Sequence, residues 1–569
     1  MKKNSFRNIC CGWLLLPIQL SLVASGDIAT TLWVEDEIVA EIDPRLFGSF
    51  AEKAPPSEPG PDAATDSMGE MDPAAVDALE KLHLPLIRYP GGYVVENRNY
   101  DWTSLIDNAP GREREQRVLY KGKARDFPWG FGLDQFLTLC ETLGSEPLLT
   151  VKLSDAYERR TPILEAANHA AAMVAYCNGT LETVPERFLP YVKARIENGR
   201  VEPWGVDLWQ IGNESFIFMR RDSPLKDAAV EEKTRQLVDS TVAFAEAMLE
   251  VDASIDIIAD VQAAKKLPKL IPELKMKLGP KIAFMSRHKY VPWGISADSV
   301  RLGDSAYSRS ELTYEEIWNA YVAPLPMDDA GLVEPFSQEA DEMATEAGYP
   351  IAITEWNWNG GWWDWNTETN GPRPPDPLLA KGIGAASFLH SFLRSGHRIK
   401  LGCQSMLIGD SWQIGSVAVV EEEGEIRYLP RPTGLVTALY SQYHGDELLS
   451  SEQRGSPSYE QPFSMKWLKA NETVAYLDSL ITRRGEVLYV HVINRHPTET
   501  LALGLKFPEG FLTEDPKVTC HTVTGDPKAE TIEQMELMSI DSISLGFLGS
   551  DLEEILQIPP HSVSVFVLK

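Results

Sequence analysis

The sequence predicts an α/β fold, a (β/α)8 TIM barrel with a C-terminal β-sandwich domain. Three observations carry this prediction. Short apolar runs alternate with helix-length segments over residues 46–446, as a parallel sheet with helical crossovers requires. Two of those runs end on a carboxylate: Val206 to Ile211 leads through Gly212-Asn213 to Glu214, and Ile351 to Thr354 leads to Glu355. After about residue 446 helical periodicity gives way to strand-like alternation.

Taken in order, Lys2, Lys3 and Arg7 precede a largely apolar run from Ile9 to Val23, with small residues before Gly26. This reads as an export signal, residues 1–25, and predicts a secreted or periplasmic protein with no membrane contact after cleavage. An uncleaved anchor is the alternative, but Pro17 and Gln19 interrupt a run already short for a span. Residues 26–45 contain strand-like alternation without a helix and are expected to join the sandwich. Leu46 to Glu52 is the first barrel strand, and Asp72-Pro73 opens a helix with a cap and a first-turn proline.

Leu86 to Gly92 is the second strand and its turn, and Leu133 to Leu143 is a helix stopped by Gly144. Strand three is Leu148 to Val151, followed by a helix from Ile163 to Tyr176. Strand four leads to Glu214, and the helix of Ala228 to Val251 to strand five, Ile255 to Ala259. Strand six is Ile282 to Ser286, with Arg287-His288-Lys289-Tyr290 following it. Strand seven leads to Glu355, Pro377 to Ser395 is helical, Ile399 to Cys403 is strand eight, and Pro432 to Tyr443 its helix. In residues 447–569, Val474 to Ile481, Glu486 to Ile493, Leu501 to Phe507 and Ser562 to Leu568 are strand-like, as a sandwich requires.

Composition narrows the function. The 569 residues suit a large barrel and a smaller partner domain. A net charge of −30 argues against nucleic acid or an anionic membrane as partner. No HExxH, Walker or Rossmann pattern is present, and the cysteines lack zinc spacing, so neither metal nor cofactor is implied. Cys140 and Cys177 lie on helix-like segments and read as buried thiols. Nothing in the sequence excludes a homo-oligomer.

Glu355 follows Glu214 by 141 residues, which at roughly 45–50 residues per βα unit of an enlarged barrel is three units. Strands four and seven would then face each other across the mouth, and two carboxylates so placed are what a retaining glycosidase needs. Either Asn-Glu or Thr-Glu alone could simply cap a following helix; the pair is harder to dismiss. The stretch Trp356 to Trp365 holds five of the chain's 15 tryptophans. Its Gly360-Gly361 turn is expected to present Trp362 and Trp363 to sugar rings beyond the cleaved one, while two or three of the indoles pack the loop itself.

With these residues in hand, the chain resembles glycoside hydrolase family 51, the retaining α-L-arabinofuranosidases. The matching pieces include Phe47-Gly-Ser-Phe-Ala-Glu52, Ile87-Arg-Tyr-Pro-Gly-Gly92, Leu208-Trp-Gln-Ile-Gly-Asn-Glu214, Ser286-Arg-His-Lys-Tyr290 and Ile353-Thr-Glu-Trp-Asn357. The resemblance implies Glu214 as acid/base and Glu355 as nucleophile, with pKa values pushed apart. It implies Asn213 on the sugar's 2-hydroxyl, Glu52 on other hydroxyls, His288 and Tyr290 beside the carboxylates, Arg88 holding Glu355 ionised, and Gln404 on the sugar. Tyr93 stands where the family usually has an asparagine against the arabinose, so the pocket for the cleaved sugar is expected to differ in shape. The expected partner is an oligosaccharide or polysaccharide of plant or algal origin. The same scaffold also serves retaining β-glycosidases and endoglucanases. A non-catalytic carbohydrate-binding protein is a third reading, which loss of either carboxylate would have favoured.

Overall fold

A computed structural model describes residues 30–569, except 53–59, 67–68, 107–116, 121–122, 127–130, 219–223, 292–294, 297–299, 308–311, 324–347, 359–361, 364–376, 410–413, 466–467, 513–516, 530–531, 533–540 and 548–553. The segment read as an export signal lies outside the described residues. No helix among the described residues is long and apolar enough to cross a membrane.

Eight parallel strands close into a barrel: Gly48–Phe50, Leu86–Tyr89, Glu146–Val151, Leu208–Ile211, Asp256–Asp260, Ile282–Tyr290, Ile351–Asn357 and Ile399–Ser405. We number them one to eight. Helices follow each in turn, among them Leu133–Leu143, Ile163–Asn178, Val230–Val251, Leu378–Arg394 and Pro432–Gln442. Asp72 caps the helix Pro73–Glu80 by accepting from the Ala74 N–H, and Thr313 with Glu316 forms a capping box on Tyr314–Val322. The four described cysteines, Cys140 and Cys177 among them, are buried free thiols.

The barrel interior is filled by one apolar side chain or more from every strand: Phe50, Leu86, Leu148, Leu208, Ile258, Phe284, Ala352 and the pair Leu401 and Cys403. Strand residues two apart share a face. Moving two residues toward the C-terminal mouth therefore gives the next inward layer, and its chemistry changes at once: Arg88, Gln210 and Asp260 lie there, all buried. This step from an apolar layer to a polar one is what positions the site.

Strand six runs on to Tyr290 instead of ending at Ser286. Pairing with strand seven continues through Arg287↔Ile353, His288↔Glu355 and Tyr290↔Asn357. The polar residues after Ser286 belong to the strand, and its inward face meets the mouth.

Among the described residues, nine of the remaining strands form one sheet, in the order Asp541–Phe547, Lys517–Val523, Ser562–Leu568, Val487–Asn494, Leu477–Arg484, Glu447–Arg454, Thr30–Glu41, Leu501–Lys506, Glu554–Ile558. Leu503 and Leu556 near one edge share a core with Val518 and Phe566 from the other half, so the sheet folds over its own apolar face as a sandwich. The opposite face packs on the barrel, where Tyr440 meets His491 with ring centroids 4.9 Å apart.

Asp478 binds the two parts together. Its carboxylate pairs with Arg394 of the seventh barrel helix, with Arg495 at 3.3 Å and with His390 at 3.2 Å. Burial alone would push its pKa up, but Arg394, then His390 and Arg495, hold it well below the usual carboxylate range. Removing one partner of a buried ionic network leaves the others uncompensated, at about 3–5 kcal/mol. Asp478→Asn should therefore lower the thermal unfolding temperature clearly, read by calorimetry; an unchanged midpoint would mean that the network contributes nothing to stability.

Candidate active site

Arg88 stands at the centre of the mouth. Its guanidinium has no exposure to solvent, and an ion of that kind persists only when acceptors surround it; four of its five N–H groups bond as follows. Nε donates to Gln210 Oε1 of strand four at 2.9 Å, and Nη2 to Asn213 Oδ1 at 2.7 Å. Nη1 donates to Glu355 Oε1 at 2.9 Å and to the Thr354 carbonyl at 3.2 Å. The Phe50 ring lies 4.6 Å below the guanidinium carbon. One cation from strand two thus fixes side chains of strands four and seven, the two strands that present the carboxylates.

Glu355 is almost buried and takes a second donor on its other oxygen, the Tyr290 hydroxyl at 2.9 Å. Tyr290 is in turn paired with the Ser405 hydroxyl of strand eight at 2.6 Å. Burial, then the charge of Glu355, pushes the Tyr290 phenol well above its ordinary range, so it serves as a neutral donor. His288 lies between the carboxylates, with Nδ1 3.2 Å from Glu214 Oε1 and 3.5 Å from Glu355 Oε2. Burial brings its pKa down to about 4, against the opposing pull of Glu355, so the ring is neutral at ordinary pH. One atom from each of Glu214, His288 and Glu355 lies within 4.8 Å of the others.

The turn that carries Glu214 is sharply bent. Gly212 has φ +82° and Glu214 itself φ +48°, a left-handed conformation that costs a residue with a side chain about 1–3 kcal/mol. Two buried acids hold the turn. Glu96 accepts from the Asn213 N–H at 2.9 Å and from the Leu153 and Ser154 N–H groups, the latter at 2.8 Å. Asp260 accepts from the Ser215 N–H at 2.7 Å. Burial pushes Glu96 up to about 7, with those N–H groups pulling the other way.

Glu52 follows strand one, packed so closely against the Gly92 turn that a Cβ there would come within 2.1 Å of its carboxyl oxygen. Gly92, at φ +74°, meets both demands, a left-handed turn and no side chain. Although part of Glu52 reaches solvent, burial of its carboxyl, followed by the charge of Glu355, raises its pKa to about 8 against a Val94 N–H bond and Arg88.

Of the residues expected in the site, Glu52, Arg88, Asn213, Glu214, His288, Tyr290 and Glu355 come together at one mouth. Tyr93 follows Gly92 directly and is half-buried. Gln404 does not belong with them. Its amide donates to the Thr433 carbonyl at 3.2 Å and accepts from Thr437 at 2.8 Å, both on the helix outside strand eight. Leu401, Cys403 and Ser405 take the inward face of that strand, which turns Gln404 outward. Trp356 and Trp358 are core, packed on Phe388 and, for Trp356, on Phe392. Trp362–Trp363 pairs in parallel with Ile295–Ser296 just beyond strand six; the side chains of this pair lie outside the described residues, as does Trp365. Sequence reasoning missed Glu96, Gln210, Asp260, Thr354 and Ser405. Inward parity two residues beyond Leu208 or Ile258 could have found Gln210 and Asp260.

The family model described as "Alpha-L-arabinofuranosidase 1 domain" matches residues 78–291, from the first barrel helix through strand six. Alpha-L-arabinofuranosidase C of Emericella nidulans is 26% identical over 512 residues, 87% of this chain and 89% of that one. The arabinose complex of α-L-arabinofuranosidase from Thermotoga maritima superimposes with a TM-score of 0.67 at 22% identity, covering 95% of this chain and 99% of that one. AbfB, a family 51 α-L-arabinofuranosidase from Bifidobacterium longum, gives 0.67 at 19%, covering 96% and 100%. In sequence and fold the chain is similar to the family 51 α-L-arabinofuranosidases.

Within this glycoside hydrolase Glu52 gives a pH signature. Its folded pKa, about 8, lies above the 4.5 of an ordinary glutamate, so the folded state holds the proton more tightly than the unfolded chain. The resulting stability is fully present below about pH 4.5 and is lost as pH rises to about 8. Glu52→Gln, which mimics the neutral acid, should flatten the fall in unfolding temperature across that window. A fall as steep as the wild type's would assign the titration to another group.

Proposed function

We propose that this enzyme is an α-L-arabinofuranosidase-like retaining hydrolase of plant or algal polysaccharide, working by double displacement with Glu355 as nucleophile and Glu214 as acid/base. The observation that carries this reading is the approach of the two carboxylates, whose nearer oxygens lie within 4.8 Å. Retaining glycosidases set their carboxyls about 5–5.5 Å apart, whereas inverting ones leave about 6.5–9.5 Å for a water.

The hydrogen bonds support the division of roles. Arg88 and Tyr290 each donate to one oxygen of Glu355, which holds the carboxyl group in a fixed orientation for attack. Glu214 is more exposed than Glu355, at 22% against 8%, as suits a group that exchanges protons with a leaving group and then with water. In the first step Glu355 attacks the anomeric carbon, the glycosidic bond breaks, and Glu214 gives its proton to the departing oxygen. In the second Glu214 takes a proton from water, the hydroxide replaces the Glu355 ester, and both groups return to their starting states. Asn213 and Glu52 hold sugar hydroxyls in this reading, and Trp362 and Trp363 lie near units beyond the cleaved one. The basic and apolar N-terminus supports export.

The sugar follows the relatives, which are named as arabinofuranosidases. Tyr93 supports keeping a second reading, a β-glycosidase or endoglucanase: a xyloglucanase from Paenibacillus polymyxa shares the fold at a TM-score of 0.56. In a panel of aryl glycosides differing only in the sugar, the α-L-arabinofuranoside should turn over fastest; preference for a β-glucoside would favour the second reading. Glu355→Ala should abolish turnover of every substrate. Glu214→Ala should spare the first step for good leaving groups, with azide restoring the second. Equal loss on good and poor leaving groups without azide rescue would reverse or remove the assignment.

A further inference from the structure

Strand seven contains a bulge at the nucleophile. Toward strand six, Ile353 pairs with Arg287 and Glu355 with His288, so Thr354 has no counterpart. Toward strand eight, Ile353 pairs with Gly402 and Trp356 with Gln404, again with one residue too many on strand seven. In a regular strand Thr354 and Glu355 would face opposite sides. The extra residue lets both reach the same imidazole: the Thr354 hydroxyl lies 3.0 Å from His288 Nε2, and the carboxylates lie beyond Nδ1. Thr354 is wholly buried.

We propose that Thr354 is a positioning residue that fixes His288 as the Nδ1–H tautomer, so that a single N–H is shared between Glu214 and Glu355 and follows the negative charge from one to the other during turnover. The argument is electrostatic. A neutral imidazole has one N–H and one lone pair, and the partner of one nitrogen decides what the other presents. A lone pair on Nδ1 would face the Glu355 carboxylate, to which Arg88 and Tyr290 donate. An N–H there is attracted to it, and the Thr354 hydroxyl then donates to the lone pair on Nε2. The low pKa of His288 agrees with a neutral ring, for which the tautomer is a real choice.

This inference rests on the roles proposed for Glu214 and Glu355. Before the first step the charge is on Glu355. When Glu355 becomes an ester its charge is gone, and Glu214, having given up its proton, carries the negative charge instead. Nδ1 lies 3.5 Å from one carboxylate oxygen and 3.2 Å from the other, so a small tilt of the ring transfers the hydrogen bond without moving the backbone. A donor already in place needs no reorganisation at each step.

The test uses the full chain labelled with 15N-histidine, with His288 assigned from the signal missing in His288→Gln. Long-range 15N–1H spectra of the free enzyme should show a protonated Nδ1 and an unprotonated Nε2. Thr354→Val, nearly isosteric but without the hydroxyl, should give a mixture of tautomers and lower kcat by roughly tenfold, the worth of one buried hydrogen bond, with KM little changed. Thr354→Ser, which restores the hydroxyl, should return both the single tautomer and most of the activity. A wild-type ring protonated on Nε2 overturns the proposal, whether or not the variants fold. So does a valine variant with unchanged tautomer and rate, or one whose tautomer shifts while kcat holds. The tautomer is read without substrate, so if Glu214 and Glu355 fail their own kinetic tests while Nδ1–H is observed, the role assignment fails and the positioning by Thr354 stands.

Discussion

The mouth of this barrel depends on the enclosure of one guanidinium. Arg88 is removed from water completely, and its donors are met by Gln210, Asn213, Glu355 and the Thr354 carbonyl. A buried cation is tolerable only in such company, so each partner is fixed as firmly as the ion requires. Because those partners come from strands four and seven, satisfying Arg88 also sets the distance between the segments that bear Glu214 and Glu355. Electrostatic necessity in one residue becomes the spacing of two carboxylates. The apolar layer beneath, closed by Phe50 against the guanidinium, keeps water from competing for the same donors.

Around that centre the carboxyl groups are separated by environment. Glu355 has two strong donors, Glu52 is raised by burial and by the charge of Glu355, and His288 is kept neutral between Glu214 and Glu355. Three acids within one mouth could not all carry charge without mutual repulsion. Here Arg88 offsets one charge and burial suppresses another. The bend at Glu214 has its own supports in Glu96 and Asp260, acids that accept from backbone N–H groups of the turn. The sandwich stands apart from this chemistry. Its connections to the barrel include the Asp478 network and the aromatic contacts at the eighth helix.

Much of this was legible in the sequence, for a physical reason. An apolar run followed at once by an acid is a strand whose end faces solvent, and both Glu214 and Glu355 announce themselves that way. The helices Leu133–Leu143 and Pro432–Gln442 carry their boundary signals locally. What escaped depends on pairing between distant strands. The bulge at Thr354 exists only relative to Arg287 and His288, so no local pattern could show that Thr354 and Glu355 share a face. Strand six was cut short because its mouth end is polar, and it is polar because it faces carboxylates contributed by other strands. Gln404 was misplaced through the family resemblance although the parity of Leu401 and Cys403 turns it outward. The sandwich strands Glu447–Arg454 and Lys517–Val523 were missed because their exposed residues dilute the alternation.

The central claim is that Arg88 and Tyr290 hold Glu355 as the nucleophile of a covalent mechanism. It is tested most directly by trapping the intermediate with an aryl arabinofuranoside carrying fluorine at C2, which slows its breakdown. After digestion, mass spectrometry should find one sugar residue attached to the peptide containing Glu355, and no adduct in Glu355→Gln. An adduct on Glu214 or Glu52, or a first-formed product of inverted configuration with no adduct at all, would contradict the account.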